Sequence, residues 1–373
     1  MLSGQNIQNL LHRPAGDAPV ASFYLDLSVN SDNKRTHGVF LNKLRHRFDH
    51  ERLKENGGKR SFDAALDRVE RWLEDEFDES NRGAALFVQL DGGWFEALQL
   101  PDPVENSVAL NDAPVLRPLM DVLERENRHT VVLVDREHLR LFDVQFGRVT
   151  HEHELETAPY PAAHDVQAGG YSQRDYQSRK AEEARQFLKD FVEETEAFVE
   201  RYQPIGLILL GTDENVGHFQ DALPQGLQDR VVHRAHAPHD ATGPEILERL
   251  EDWFEQAIRD RRQERIELLH DRIDHQHYAV GGIRDTLDQL QRGKVATLVV
   301  DRALQRTGAR CTQCGVHLDR ARGECPYCSG ETRDGVDLVE AMVRSAVEQD
   351  ADVHLVPTVT VAQYEGVGAL LRF

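Results

Sequence analysis

The sequence predicts an α/β protein made of three consecutive α/β domains. Short apolar runs, which are typical of strands, alternate with longer stretches whose apolar residues recur three or four positions apart, as in helices. This alternation is found in all three parts of the 373-residue chain, and no internal repeat of solenoid length accompanies it. Hydrophobic residues make up 40% of the chain, enough for each domain to bury a core. We expect the domains at 1–127, 128–265 and 266–373.

The composition narrows the class of protein. No apolar run approaches the ~20 residues that a membrane-spanning helix needs, and the first residues lack the basic and apolar regions of a signal peptide. All four cysteines lie within residues 311–328, whereas a disulfide-stabilised secreted protein would distribute them, so we expect a cytoplasmic protein. The net charge of −21 argues against a protein that coats nucleic acid and restricts any RNA contact to a local patch.

The first domain is expected to contain a strand, an amphipathic helix and a hairpin. Residues 21–27 alternate apolar and polar side chains roughly as a strand does. Ser61 is placed to cap a helix whose apolar residues recur at helical spacing as far as Phe77. The segments 84–90 and 94–98, separated by a glycine-containing turn, have the pattern of a β-hairpin. This domain carries no recognisable catalytic motif.

The middle and third domains are expected to contain mostly parallel or mixed sheets, because helices and strands alternate along both. In the middle domain, strands are predicted at 130–135, 139–146, 149–155 and 205–211, with a helical apolar stripe from Ala184 to Tyr202. The run 205–211 is apolar throughout, as in a strand that is covered on both faces. A charged helix over about 244–278 precedes the third domain. There, strands are predicted at 295–300 and 353–356 and a helix near 338–347.

The strongest chemical motif is a doubled CxxC pattern. Cys311 and Cys314 form the first pair, and Cys325 and Cys328 follow after ten intervening residues. Two such knuckles can direct four thiolates to one tetrahedral zinc ion, and this closed set leaves no position for a substrate. Two local disulfides or a redox CxxC pair are the alternatives, but the doubling and the expected cytoplasmic setting favour a structural zinc ion.

A glycine-containing loop is predicted at 168–176, just before the helix of the middle domain. Its paired glycines, Gly169 and Gly170, allow unusual backbone conformations and expose main-chain N–H groups. A phosphate-binding loop is one interpretation, although neither the Walker nor the dinucleotide-binding spacing is present. A surface connection is the other. Arg174, Arg179 and Lys180 form a local basic cluster beside this loop that can contact phosphates.

Together these features resemble the class-1 archaeal and eukaryotic peptide chain release factors and their paralogue Pelota. The chain is more closely similar to the bacterial and archaeal release-factor-like family, which includes Balon-type ribosome hibernation factors. Gly169-Gly170-Tyr171 and the helix after it resemble the family's GGQ loop. The segment from Gly281 to Val300 resembles the start of the family's third domain. The four cysteines resemble that domain's zinc-bearing insertion, and residues 366–373 resemble its closing strand. The resemblance covers residues 128–373.

The resemblance implies a protein that binds the ribosomal A-site region. The implied partners are ribosomal RNA, with tRNA and a translational GTPase as further candidates, and no membrane. In the family, the glutamine after the paired glycines helps to place the hydrolytic water; here Tyr171 takes its position and Gln173 lies two residues later. No stop-codon motif is found in the first domain. The residues expected to contact the ribosome are those of the loop and the basic residues beside it: Gly169, Gly170, Tyr171, Ser172, Gln173, Arg174, Arg179 and Lys180.

We therefore expect no catalytic residue in this chain. The favoured function is that of a non-catalytic hibernation, rescue or stress factor. One alternative is a peptidyl-tRNA hydrolase or peptide chain release factor with an altered GGQ loop. The other is an acidic adaptor that recruits a translational GTPase, a function that the net charge of −21 favours.

Overall fold

The computed structural model describes residues 4–13, 18–30, 34–47, 58–124, 127–156, 188–321 and 323–372. The chain divides into two compact units, one formed by Met1–Glu124 with Asp260–Phe373 and the other by Arg125–Arg259. Among the described helices, none is both long enough and apolar enough to cross a membrane.

The N-terminal part of the first unit is an antiparallel sheet with helices. Its elements are α1 (Gly4–Leu11), β1 (Val20–Asp26), α2 (His37–Arg47), α3 (Gly58–Asp75), β2 (Gly83–Gln89), β3 (Phe95–Leu100), β4 (Ser107–Asn111) and α4 (Arg117–Glu124). The strand order is β3-β2-β1-β4, and every neighbouring pair is antiparallel. The predicted strand and hairpin are confirmed.

Helix α3 corrects one expectation about this part of the chain. The predicted helix is present, but Ser61 does not cap it, because the helix already includes Gly58. Its buried stripe begins at Phe62, and the turn before Ser61 is stabilised by Lys59, which pairs with Asp63 four residues later and donates a hydrogen bond to the carbonyl oxygen of Arg45 (2.8 Å). Ser61 is therefore an interior helical residue.

The second unit contains a mixed five-stranded sheet. Its elements are β5 (His129–Val134), β6 (His138–Gln145), β7 (Arg148–Glu156), α5 (Lys189–Tyr202), β8 (Gly206–Leu210), α6 (Asp213–Ala222), α7 (Gln225–Gln228), β9 (Val231–Ala235) and the first part of α8 (Gly243–Asp274). The strand order is β7-β6-β5-β8-β9, in which β5, β8 and β9 are parallel and β6 and β7 are antiparallel. This confirms the prediction of a mixed sheet.

Strand β8 is buried on both faces, as its unbroken apolar sequence predicts. On one face, Leu207 and Leu209 pack in a core with Phe191 and Phe198 of α5. On the other face, Ile208 and Leu210 pack in a core with the first turns of α8. The predicted helical stripe is confirmed from Leu188 onward, while Ala184 lies outside the described residues.

The C-terminal part of the first unit contains a second mixed sheet and a small three-stranded sheet. Its elements after α8 are β10 (Ala279–Gly281), α9 (Ile283–Gln291), β11 (Val295–Asp301), β12 (Thr307–Cys311), β13 (His317–Leu318), β14 (Thr332–Asp337), α10 (Leu338–Glu348), β15 (Asp352–Val356), α11 (Thr358–Val361), a 3-10 turn (Ala362–Tyr364) and β16 (Val367–Leu371). The larger sheet has the order β10-β16-β11-β15, with β11 and β15 parallel. The smaller sheet has the order β13-β12-β14 and carries the cysteines.

Side chains of the C-terminal part make polar contacts with the N-terminal part inside the first unit. The guanidinium of Arg344, on α10, donates hydrogen bonds to the carbonyl oxygens of Leu11 (2.8 Å) and Leu10 (3.4 Å), at the end of α1. Because the last carbonyls of a helix have no partner within the helix, a cation placed there stabilises the helix end. The guanidinium of Arg344 also donates a hydrogen bond to the carbonyl oxygen of Pro114 (3.4 Å). These bonds link segments that are far apart in the sequence.

Candidate metal centre

The four cysteines lie in and beside the small sheet β13-β12-β14. Cys311 is the last residue of β12, and the turn through Cys314 leads to β13. The second pair, Cys325 and Cys328, precedes β14, and an isolated antiparallel bridge between Glu324 and Glu331 closes its turn. The sheet thus brings together two pairs that are separated in the sequence.

The two CxxC turns have the same backbone geometry. In the first turn, the carbonyl oxygen of Cys311 accepts a hydrogen bond from the N–H of Gly315 (3.1 Å). In the second turn, the carbonyl oxygen of Cys325 accepts one from the N–H of Ser329 (2.9 Å). The fifth residue of each turn has a positive φ, 75° for Gly315 and 58° for Ser329. Glycine adopts a positive φ at little energetic cost, whereas for serine this conformation is unfavourable. Contacts around the second turn therefore have to stabilise it.

The sulfur atoms are arranged as a metal site requires. All four Sγ atoms lie within 4.8 Å of one another. The Sγ atoms of Cys311 and Cys328 are 3.5 Å apart, and those of Cys314 and Cys325 are 3.6 Å apart. Tetrahedral zinc with Zn–S bonds of about 2.3 Å places its sulfur ligands roughly 3.8 Å apart, whereas a disulfide has an S–S distance of about 2.0 Å. The four thiols are free, and their spacing fits one metal ion.

Backbone N–H groups prepare Cys311 to be a thiolate ligand. The N–H groups of Cys314 and Gln313 both point to the sulfur of Cys311, at 3.4 Å. The hydrogen bond from Cys314, with a smaller contribution from Gln313, lowers the pKa of the Cys311 thiol to about 6. Cys311 and Cys325 are buried, with 1% and 2% of their surface exposed, so the first ligand of each pair lies inside the module. The residues present therefore fit the ligand set of one metal ion.

The structure places the predicted site residues unequally. The four cysteines are brought together as predicted, and they are the group of metal-ligating residues that stands out in the described ranges. The loop residues Gly169, Gly170, Tyr171, Ser172, Gln173 and Arg174, and the neighbouring Arg179 and Lys180, lie outside the described residues. Sequence reasoning missed two arginines beside the first cysteine turn, Arg310 and Arg333, which become neighbours only when β12 pairs with β14.

Comparison with known proteins is consistent with the resemblance found in the sequence. The chain is 23% identical over 367 residues to peptide chain release factor subunit 1 of Thermococcus onnurineus (strain NA1), and the alignment covers 86% of each protein. The chain is thus similar to a release factor along most of its length, which confirms the resemblance found in the sequence. Residues 114–255 match the model of bacterial archaeo-eukaryotic release factor family 10.

Solved structures of an archaeal termination factor and of Pelota align with most of this chain but superpose poorly on it. The crystal structure of the archaeal translation termination factor aRF1 gives a TM-score of 0.25 at 17% identity, over 100% of this chain and 99% of that chain. Pelota of Archaeoglobus fulgidus gives 0.34 at 15% identity, over 80% and 81%. A ribosome-bound archaeal Pelota gives 0.39 at 12% identity, over 100% and 94%.

Proposed function

We propose that this protein binds the A-site region of the ribosome and does not release peptides. One observation carries the proposal. The segment 114–255, which matches a release-factor family model, contains paired glycines at 169 and 170 but Tyr171 in the position that the resemblance assigns to the catalytic glutamine. In this proposal the segment supplies the recognition part of such a factor without its hydrolytic residue, as expected of a hibernation, rescue or stress factor in the cytoplasm.

The chemistry of tyrosine supports a docking function for this loop. Peptidyl-tRNA hydrolysis needs a polar group that positions a water molecule, and positional errors of ~1 Å cost roughly 100-fold in rate. Tyr171 is longer and more rigid than glutamine, and its phenol stays protonated near neutral pH. An aromatic ring is well suited to stacking on a base, a contact worth about 1–3 kcal/mol. We infer that the loop contacts RNA without activating water.

We further propose that Cys311, Cys314, Cys325 and Cys328 bind one structural zinc ion in an insertion at 311–328. The four clustered sulfur atoms support zinc, since thiolates are the ligands it prefers in closed sites. The ion would supply folding free energy to the small sheet and no chemistry toward a substrate.

We also propose that the chain is divided into domains at 1–127, 128–265 and 266–373. Each described sheet takes all its strands from one of these three segments.

The proposed function is tested by sedimentation with native ribosomes through sucrose gradients. Wild-type protein is expected to pellet with ribosomes, and reversal of Arg174, Arg179 and Lys180 to glutamate should weaken this binding, because three phosphate contacts become repulsions. A charge-matched control reverses Lys43, Arg60 and Arg71, which are exposed on α2 and α3. Wild-type protein that stays at the top of the gradient contradicts the proposal.

The net charge of −21 supports one alternative function, an acidic adaptor for a translational GTPase. An adaptor of this kind does not need RNA, so it would remain in the supernatant with isolated ribosomes and would bind the GTPase in their absence. The same gradient experiment therefore separates the two functions. The family match over residues 114–255 includes the glycine loop. Ribosome binding gives this loop a function, whereas the adaptor function gives it none.

A further inference from the structure

The cysteine-bearing segment is basic, although the whole chain is strongly acidic. Between residues 302 and 333 there are six arginines and three carboxylates, a local excess of three positive charges in a chain of net charge −21. The arginines of this segment are Arg302, Arg306, Arg310, Arg320, Arg322 and Arg333. Local charge of the opposite sign to the whole protein points to a partner that is itself anionic.

Two of these arginines are held directly opposite each other in the small sheet. Arg310 on β12 and Arg333 on β14 are register partners in an antiparallel pair, so their side chains leave the same face of the sheet. Like charges in this position destabilise a sheet. A bound anion would turn this repulsion into two attractions, because each guanidinium presents a planar fork of donors to phosphate oxygens.

The surroundings neutralise this pair only in part. The carboxylate of Asp112 lies 3.5 Å from Arg333, but none of the carboxylates in the described ranges forms a salt bridge with Arg310. On the other side of β12, the register partner of Arg310 is His317. Burial, and then the positive charge of Arg310, lower the pKa of His317 to about 4, so this neighbour is uncharged at neutral pH. The row across the sheet therefore keeps an excess of positive charge.

A cavity of about 500 Å³ opens beside this arginine pair. It is lined by Arg310 and Arg333 together with Asp112, Thr312, Gln313 and Gly315, and it adjoins Cys311 and Cys314 of the cysteine cluster. Cavities of this size hold ligands as large as a nucleotide. The side chains of Thr312 and Gln313 add polar groups to the two guanidinium groups.

We propose that Arg310 and Arg333 form a phosphate-binding site for the RNA backbone on the cysteine-bearing module, in a different segment of the sequence from the glycine loop. The choice of RNA rests on the proposed ribosomal function, whereas the anion site itself rests on the sheet register and the charges. RNA is favoured over an isolated anion because the same segment also carries the exposed Arg306 and Arg320, whereas Arg302 is already paired with Asp121 (2.6 Å). The acidic remainder of the chain disfavours non-specific RNA binding, which makes this local patch selective.

The test measures fluorescence anisotropy of a labelled 12-nucleotide single-stranded RNA with the full chain, at several salt concentrations. The doubly substituted variant Arg310→Gln/Arg333→Gln should bind at least roughly 10-fold more weakly, since charge-assisted hydrogen bonds to two phosphates are lost. Its slope of log Kd against log salt should fall by about 1.4, or ~0.7 for each phosphate contact on a single strand. The control Arg60→Gln/Arg71→Gln removes the same charge from α3 and should bind as the wild type does.

Three results would overturn the inference. The first is that the wild type does not bind RNA, and the second is that the α3 control loses as much RNA affinity as the Arg310→Gln/Arg333→Gln variant. The third is that a glutamate-rich peptide competes with RNA for the protein at equal charge concentration. The melting temperature of the Arg310→Gln/Arg333→Gln variant should not fall, because a like-charge pair is removed, so weaker binding cannot be attributed to unfolding. Ribosome sedimentation of the same variants separates the two proposals. If the wild type pellets but all variants bind equally, the ribosomal function stands and the arginine site does not.

Discussion

The carboxylate of Glu340 accepts a 2.5 Å hydrogen bond from the backbone N–H of Leu116, a residue 224 positions earlier in the chain. Its second oxygen accepts a longer bond, 3.3 Å, from the N–H of Arg117. Both N–H groups lie at the start of α4, where a helix has donors without intrahelical partners and favours negative charge. Glu340 thus joins α10 to α4 within the first unit. The side chain is only 6% exposed, and burial outweighs these hydrogen bonds and raises its pKa to about 7.

The raised pKa of Glu340 predicts that stability falls as pH rises from about 4.5 to 7. In this window the folded chain holds a proton on Glu340 that the unfolded chain has released, so the free energy of unfolding decreases with pH by up to ~1.4 kcal/mol per unit. Glu340→Gln should remove this slope from a series of urea melts. Glu348→Gln, an exposed position on the same helix, is the control and should keep it. Equal slopes for wild type and Glu340→Gln contradict the prediction.

The contact between Glu340 and Leu116 is one that could not be predicted from the sequence, in contrast to features with a local pattern. Strand β8 and the hairpin β2–β3 could be predicted because their apolar spacing is local. The doubled CxxC motif was equally informative, because the geometry of each turn is set within five residues. Glu340 has no such local pattern, since its partner is 224 positions away. Nor could Arg310 and Arg333 be paired in advance, because their opposition depends on the register of β12 and β14.

The error at Ser61 has a different physical origin. Serine is a common N-cap, and Ser61 lies just before an apolar stripe, so the local pattern was real. Contacts of the preceding turn decided the outcome, because Lys59 pairs with Asp63 at i, i+4 and donates a hydrogen bond to the carbonyl oxygen of Arg45 on α2. Tertiary packing thus moved a helix boundary that the capping preference alone had placed too late.

A second prediction concerns the buried carboxylate of Glu124 at the end of α4. It accepts hydrogen bonds from the Nδ1–H of His354 (2.8 Å) and from Arg262. Although burial acts to raise the pKa of Glu124, these partners outweigh it and hold the pKa below its ordinary value. Glu124→Gln should lower the free energy of unfolding at pH 7 by about 2 kcal/mol, less than for a fully buried pair because Arg262 is partly exposed.

The pH dependence at Glu124 has the opposite sign to that at Glu340. A depressed carboxyl pKa gives stability that is present above the unfolded pKa and lost as pH falls through the folded pKa. The difference between wild type and Glu124→Gln, measured by urea melts, should therefore shrink below about pH 4. Asp121→Asn is the control, since Asp121 is more exposed and should change stability by less than ~1 kcal/mol. A constant difference down to pH 3 would show that packing, not charge, is responsible.

A third prediction concerns the proposed zinc ion. Protein purified without chelators should contain about one zinc per chain by elemental analysis, because the four sulfur atoms fit one tetrahedral ion. Removal of the metal should increase hydrogen exchange in β12 and β14 and leave the hairpin β2–β3 protected, since folding free energy from the metal is local. Cys314→Ala should reproduce the effect of chelation. Zinc well below stoichiometry, or disulfide-linked cysteines under reducing conditions, would rule out the site.

The last prediction concerns peptide release. Wild-type protein should release no labelled peptide from programmed ribosomes, because Tyr171 occupies the position that the resemblance assigns to the water-positioning glutamine. Tyr171→Gln restores that side chain and should give release above the background if the loop docks in the family's manner. Gln173 is the other side chain that a reshaped loop can present, so Gln173→Ala is measured in parallel. Release by the wild type that disappears in Gln173→Ala would show that the glutamine has shifted by two positions and that this protein is an enzyme.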